Sequence, residues 1–203
     1  PGFFVQEDNV TVEFNIPPAH SSDEFVESIG WTVTQLKEVL GSLGFEVRPT
    51  ASAYFSDAEL ASPEAQAFGC TPDFNAWKFG SMNPRPDPHS TALRTCGGHV
   101  HFGYPEASDN DFRLRLIQAC DLFQGVPAIL VDTDDARQQL YGKAGCYRPT
   151  NYGSEYRVLS NWWLAKAEYT KCVYDSAVAA YNFATTASAR DILDGLRERI
   201  VTI

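Results

Sequence analysis

Hydrophobic and polar positions alternate at the start of the chain. In QEDNVTVEFN, residues 6–15, Glu7, Asn9, Thr11 and Glu13 fall on one side of a two-residue period, and Val10, Val12 and Phe14 fall on the other. The pattern predicts a strand over 3–16 whose polar face carries two carboxylates. The period then lengthens. Across residues 21–44, Phe25, Ile29, Leu36 and Leu40 recur at helical spacing, with Ser22 or Asp23 placed to cap the helix and Gly41 or Gly44 to end it.

FEVRPTA, residues 45–51, reads as a second strand. Residues 62–90 are rich in Pro, Gly, Asn and Asp, and a stretch of that length predicts a functional loop and not an idle connection. A short strand then carries Val100, His101 and Phe102. Residues 108–127 predict a helix capped at Ser108 and stopped near Gly125, and residues 135–161 predict a loop leading into a strand. From Trp162 onward the pattern is helical, with Ser188 capping a last helix. Strands and helices mix without strict βαβ alternation. That predicts a single α+β domain over 1–203, with a largely antiparallel sheet and helices packed on one face.

Composition narrows the class. Apolar residues make up 44% of the chain and aromatics 13%, enough for a packed core. The net charge of −10 argues against general nucleic-acid binding, which needs a basic surface, yet a few local cations suffice for a nucleotide. No apolar run approaches the roughly 20 residues of a membrane span. Cys70, Cys96, Cys120, Cys146 and Cys172 form no CxxC pair, and scattered thiols in odd number fit a cytoplasmic protein. The chain starts at Pro1 close to a strand and stops close to a helix, which suggests a fragment whose N-terminus and C-terminal end lie outside it.

Three polar patterns carry candidate chemistry, and each also has a plain reading. His99 and His101 sit two apart after a glycine pair in RTCGGHVHFG, residues 94–103, and on a strand both rings point to one side. Such a pair can bind zinc or iron if a third ligand joins it, or lie in a polar patch of surface. Glu155 and Arg157 share one face of GSEYRVLSN, as a site or as a surface ion pair. Lys143 and Arg148 stand in the glycine-bearing YGKAGCYRPTNYG, suited to a polyphosphate or simply basic. Together, carboxylates, histidines and adjacent cations fit phosphoryl transfer with Mg²⁺ or Mn²⁺ better than hydrolysis at zinc.

The stretches QEDNVTVEFNIPPA, FGCTPDFNAW, CGGHVHFG and YGKAGCYRPTNYGSEYRVLSN resemble the phage-associated carboxylate–amine ligases of the amidoligase group, COOH.NH2 ligase type 2. They are similar, more distantly, to the catalytic half of the glutamine synthetase fold. The resemblance implies an ATP-dependent ligase that joins a small-molecule or peptide carboxylate to an amine through an acyl-phosphate, without nucleic-acid or membrane partners. It gives Glu7, Glu13, His99 and Glu155 to the metal ions and His101, Lys143 and Arg148 to the nucleotide phosphates. Glu155, Arg157 and Glu13 become the catalytic set. Three departures are visible: Glu7 and Glu13 are two residues closer than the family's pair, Lys143 replaces an arginine, and the resemblance implies an initial acidic strand, lending further carboxylates to the metals, that would lie ahead of Pro1. Carboxylates gathered around metals also predict that Glu155→Ala relieves repulsion when no metal is bound. A cupin-like or zinc-dependent enzyme using His99 and His101, and a non-catalytic phage or binding protein, are the alternatives.

Overall fold

The structure is a computed structural model that describes residues 2–8, 10–66, 73–84, 87, 91–138 and 140–200. The chain divides into two compact units, one formed by residues 1–69, 87–96 and 161–175, the other by 70–86, 97–160 and 176–203. Asn9, Cys70 and parts of the expected 62–90 loop lie outside the described residues.

In the first unit the opening alternation is two strands and not one. Strands β1 (Phe4–Asp8) and β2 (Thr11–Asn15) pair antiparallel, with Gln6 opposite Glu13 and Glu7 opposite Val12. Directly opposed residues share a face, so the register sends Glu7 and Glu13 to opposite faces. The expectation of one shared face fails because the chain reverses between them. A period of two cannot by itself distinguish a continuous strand from a tight hairpin.

Helix α1 (Ser22–Ser42) follows, and its cap is Ser21, one residue ahead of the expected Ser22 or Asp23. The Glu24 amide donates to Ser21 Oγ at 3.2 Å, while the His20 amide donates to Glu24 Oε2 at 2.7 Å. These bonds satisfy donors that the first turn leaves unpaired. Ile29, Thr32 and Leu36 face inward, and Phe25 packs on Trp163 and Tyr174. The second strand is displaced. Residues 45–50 are irregular, and β3 (Ser52–Tyr54) pairs with β6 (Leu93–Thr95) only beyond Pro49, which lacks an amide to donate.

The second unit is built on a five-stranded antiparallel sheet. Strands β4 (Phe74–Asn75), β5 (Ser81–Met82), β7 (Val100–Gly103), β8 (Cys146–Thr150) and β9 (Gly153–Tyr156) lie in the order β5-β4-β8-β9-β7. Part of the expected loop ahead of Glu155 is thus a strand, Cys146–Thr150, and residues 151–152 turn it into β9. Register divides the sheet by chemistry. Tyr147, Tyr156 and Val100 align across three strands, as do Pro149, Ser154 and Phe102. That apolar side meets the 110–120 helix, where Leu116 and Ile117 are fully buried. Trp77, Leu193 and Ile200 extend the core there. The helix is capped by Asp109, which accepts from the Phe112 amide at 3.0 Å, one residue beyond the expected Ser108. The chain is therefore α+β with antiparallel sheets. Among the described residues, no helix is long and apolar enough to cross a membrane.

Gly153 sets the tight entry into β9. Its φ is +153°, and a Cβ there would stand 2.0 Å from the Phe102 carbonyl oxygen. Gly153→Ala should destabilise the chain by about 2–4 kcal/mol, the range for strain at a special backbone position combined with a buried clash. Urea midpoints of the two proteins check this.

Candidate active site

The other side of the same sheet is polar. His101 lies opposite Glu155 on β7, and Arg148 lies opposite Glu155 on β8, so these three side chains share a face. Arg157 follows β9 on that face, and His99 precedes β7. Three strands and their flanking residues thus bring polar side chains to one carboxylate.

Glu155 is fully buried and completely engaged. Arg148 Nε donates to Oε2 at 2.6 Å, and Arg157 Nη1 donates to Oε1 at 2.5 Å. His99 Nδ1 lies 2.9 Å from Oε1 and faces it as a donor. Burial pushes the Glu155 carboxyl up, but the His99 hydrogen bond and the neighbouring His99, Arg157 and His101 outweigh it and hold the group down at about 2. Burial pushes His99 the other way, below the usual imidazole range. The Glu155 hydrogen bond resists that shift, and the Arg157 and Arg137 charges add to it. The pair is best described as an ionised carboxylate beside a neutral imidazole whose Nδ1 carries the proton.

The glycine pair before the histidines now has a reason. A Cβ on Gly97 would come within 2.3 Å of His99 Nε2, so the ring fits between Glu155 and a residue without a side chain. His101 is exposed, and its Nδ1 meets the Tyr152 hydroxyl at 2.7 Å. Tyr152 sits in the β8–β9 turn.

Arg157 spans two carboxylates. Beyond Glu155, its Nε lies 3.8 Å from Asp73 Oδ1, and Asn83 Nδ2 donates to Asp73 Oδ2 at 3.1 Å. The buried Cys146 thiol, raised above its ordinary range by burial and then by Asp73, lies against the same group. Asp73, Asn83 and Tyr152 carried no signal of their own in the sequence. Asp73 and Arg157 are far apart along the chain, and only the pairing of β4 with β8 and β8 with β9 joins them.

The structure brings together His99, His101, Arg148, Glu155 and Arg157. Lys143 is exposed, three residues before β8. Arg148 is not in a loop as expected; it stands within β8 with its Nε on Glu155. The expected crowding of carboxylates around Glu155 is also reversed, because its close partners are donors and cations. Glu7 and Glu13 belong to the first unit, where Gln6 Nε2 donates to Glu13 Oε2 at 2.8 Å. Among the described residues, no group of three His, Cys, Asp or Glu side chains could hold a metal ion. Glu155 and His99 make an adjacent pair of suitable donors.

A buried carboxylate held by two arginines and an imidazole thus occupies the polar face of an antiparallel sheet. Residues 76–195 match the family described as phage phiEco32-like COOH.NH2 ligase-type 2. The match covers more than half of the chain, and the protein belongs to that family, whose name is that of a carboxylate–amine ligase. No curated protein and no solved structure matches.

The Glu155 cluster has a definite acid signature. Its carboxyl is lower in the folded state than in the unfolded chain. Its stabilisation is therefore fully present above about pH 4.5 and is lost as pH falls toward 2. Glu155→Gln should cost on the order of 3 kcal/mol at pH 7, leaving two arginines facing a neutral amide. The gap to wild type should narrow below pH 4.5, read as urea midpoints from pH 7 down to pH 3. A gap independent of pH would contradict the assigned charge.

Proposed function

We propose that the chain is the catalytic part of an ATP-dependent ligase that joins a carboxylate to an amine through an acyl-phosphate, with a glutamine synthetase-like catalytic fold. The observation that carries this reading is the Glu155 cluster on a polar sheet face, flanked by His99, His101, Arg148 and Arg157.

The chemistry explains why such a set is needed. A free carboxylate is a poor electrophile, since its leaving group would be an oxide. In the first step a carboxylate oxygen of the acid attacks the γ-phosphorus of ATP, and ADP leaves. In the second the amine nitrogen attacks the acyl carbon, and phosphate leaves with the activated oxygen while the nitrogen loses its proton. Both steps bring anions together, and guanidinium groups fixed in advance lower that cost. Arg157, pinned by Glu155 and buried, cannot swing away, which suits a group that meets charge developing on the transferred phosphoryl. His101 and Lys143 are exposed and suited to the nucleotide phosphates. Arg148 uses Nε on Glu155, and its terminal amino groups would meet a phosphate.

Magnesium or manganese, when bound, would neutralise phosphate and carboxylate charge. Glu155 and His99 are the residues of this unit that would hold it. Of the metal roles that the resemblance gives to Glu7 and Glu13, the proposal keeps one. Since the hairpin register separates them, only one of Glu7→Gln and Glu13→Gln is expected to raise the magnesium requirement. The zinc or iron alternative, which needs both imidazoles on one ion, has less support, because His101 is directed at Tyr152.

Phosphate release from ATP over a panel of amino acids and polyamines tests the reading. Glu155→Ala should abolish release. Lys143→Ala and Arg148→Ala should each weaken ATP binding by about tenfold, the loss of one charge-assisted hydrogen bond, measured by titration calorimetry. Unchanged ATP affinity in both variants would remove the phosphate role.

A further inference from the structure

Behind Glu155, on the helix-covered side of the sheet, a second carboxylate is buried that the reaction does not call for. Asp121 is 1% exposed. It opens a five-residue π-helical segment, Asp121–Gly125, that continues the 110–120 helix. Trp77 Nε1 donates to its Oδ2 at 2.5 Å, and the Tyr156 hydroxyl donates to its Oδ1 at 2.8 Å. The Gly145 amide donates to it as well. Each donor comes from the end of a different strand: Trp77 closely follows β4, Gly145 immediately precedes β8, and Tyr156 closes β9.

Those three strands bear the polar face. Asp73 precedes β4, Cys146 and Arg148 lie on β8, and Glu155 and Arg157 lie on and just after β9. Side chains of neighbouring residues on a strand point to opposite faces. Tyr156 therefore reaches Asp121 from the same backbone that aims Glu155 the other way. We propose that Asp121 is a positioning residue for this site, one buried anchor that fixes β4, β8 and β9 relative to each other and thereby sets where Arg148, Glu155 and Arg157 stand.

The surroundings are shaped for this contact. A Cβ on Gly125 would lie 2.5 Å from the Tyr156 hydroxyl and 3.2 Å from Asp121 Oδ1, so glycine is required for the hydroxyl to arrive. Gly145 has φ +78°, and a Cβ there would press on Trp77 at 2.7 Å. A π-helical segment places one extra residue in the turn, a distortion frequent near functional sites. Burial also works against the charge. It raises the Asp121 carboxyl to about 7, against the opposing pull of its three hydrogen bonds. A well-packed apolar residue would serve stability better than a buried carboxylate. What a carboxylate adds is direction, since it can accept from three donors in fixed places at once.

The test uses a neighbour as its comparator. Ser154 is also fully buried beside Glu155, and its hydroxyl bonds Tyr104 at 2.5 Å. Tyr156→Phe and Ser154→Ala each remove one buried hydroxyl contact from β9, but only the first cuts the link to Asp121. The readout is hydrogen exchange at the Arg148 and Arg157 Nε–H groups, followed by ¹⁵N NMR on the full chain, with the thermal midpoint recorded alongside. Tyr156→Phe and Asp121→Leu should speed exchange at Arg148 by about tenfold or more, a loosening of about 1.4 kcal/mol. Ser154→Ala, at a similar loss of thermal midpoint, should change it less than about threefold. Equal effects from Tyr156→Phe and Ser154→Ala, or none from Tyr156→Phe, would overturn the positioning role, and Tyr156→Phe keeps the question open to test if Asp121→Leu does not fold. The proposal takes the Glu155 face as the reaction site, but this readout does not depend on ATP. Fast exchange with no ATP binding would sustain the anchor and sink the nucleotide reading alone.

Discussion

One ion cluster organises the second unit of this chain. Glu155 is buried without access to water, and an isolated carboxylate in that position would take up a proton. It stays charged because Arg148, Arg157 and His99 meet it at 2.5–2.9 Å. The dependence is mutual. Arg157 is itself buried, and without Glu155 it would keep only the longer contact to Asp73. Removing either partner strands the other, which is why buried pairs are fragile toward single substitutions.

The cluster in turn dictates backbone chemistry. His99 can reach Glu155 only because Gly97 has no side chain, and Glu155 can stand opposite both His101 and Arg148 only because β9 is the central partner of β7 and β8. The β8–β9 turn is short enough to keep that register, and Gly153 makes its closest approach to β7 possible. On the reverse side, Asp121 receives three donors and ties the same strands from behind. Polar direction thus acts on both sides of a single sheet: a face where two arginines meet Glu155, and a helix-covered face with one buried carboxyl group, Asp121, inside the core.

Family membership and geometry speak to different levels of the function. The match over 76–195 places the chain among carboxylate–amine ligases of the phage phiEco32-like type. The Glu155 cluster lies inside the matched region. Glu7 and Glu13 lie outside it, on a hairpin whose register separates them.

Much of the local structure was legible in the sequence, because it rests on short-range physics. Helical spacing of Phe25, Ile29 and Leu36 located α1, and a period of two placed His101 and Glu155 on strands. Capping residues were found within one position, since serine and aspartate compete locally for the same orphan amides. The pairing of the histidines with the Glu-Arg strand was suggested by shared polarity and by family resemblance. What the sequence could not contain was register. Whether 3–16 is one strand or a hairpin depends on a chain reversal that leaves the alternation intact, and the faces of Glu7 and Glu13 follow from it. Asp73 at the far side of Arg157 and Asp121 behind Tyr156 are isolated carboxylates in the sequence. They gain meaning only when strands distant along the chain are hydrogen-bonded side by side. The residue types determined which chemistry was possible here; the pairing of β4, β8, β9 and β7 decided which charges meet.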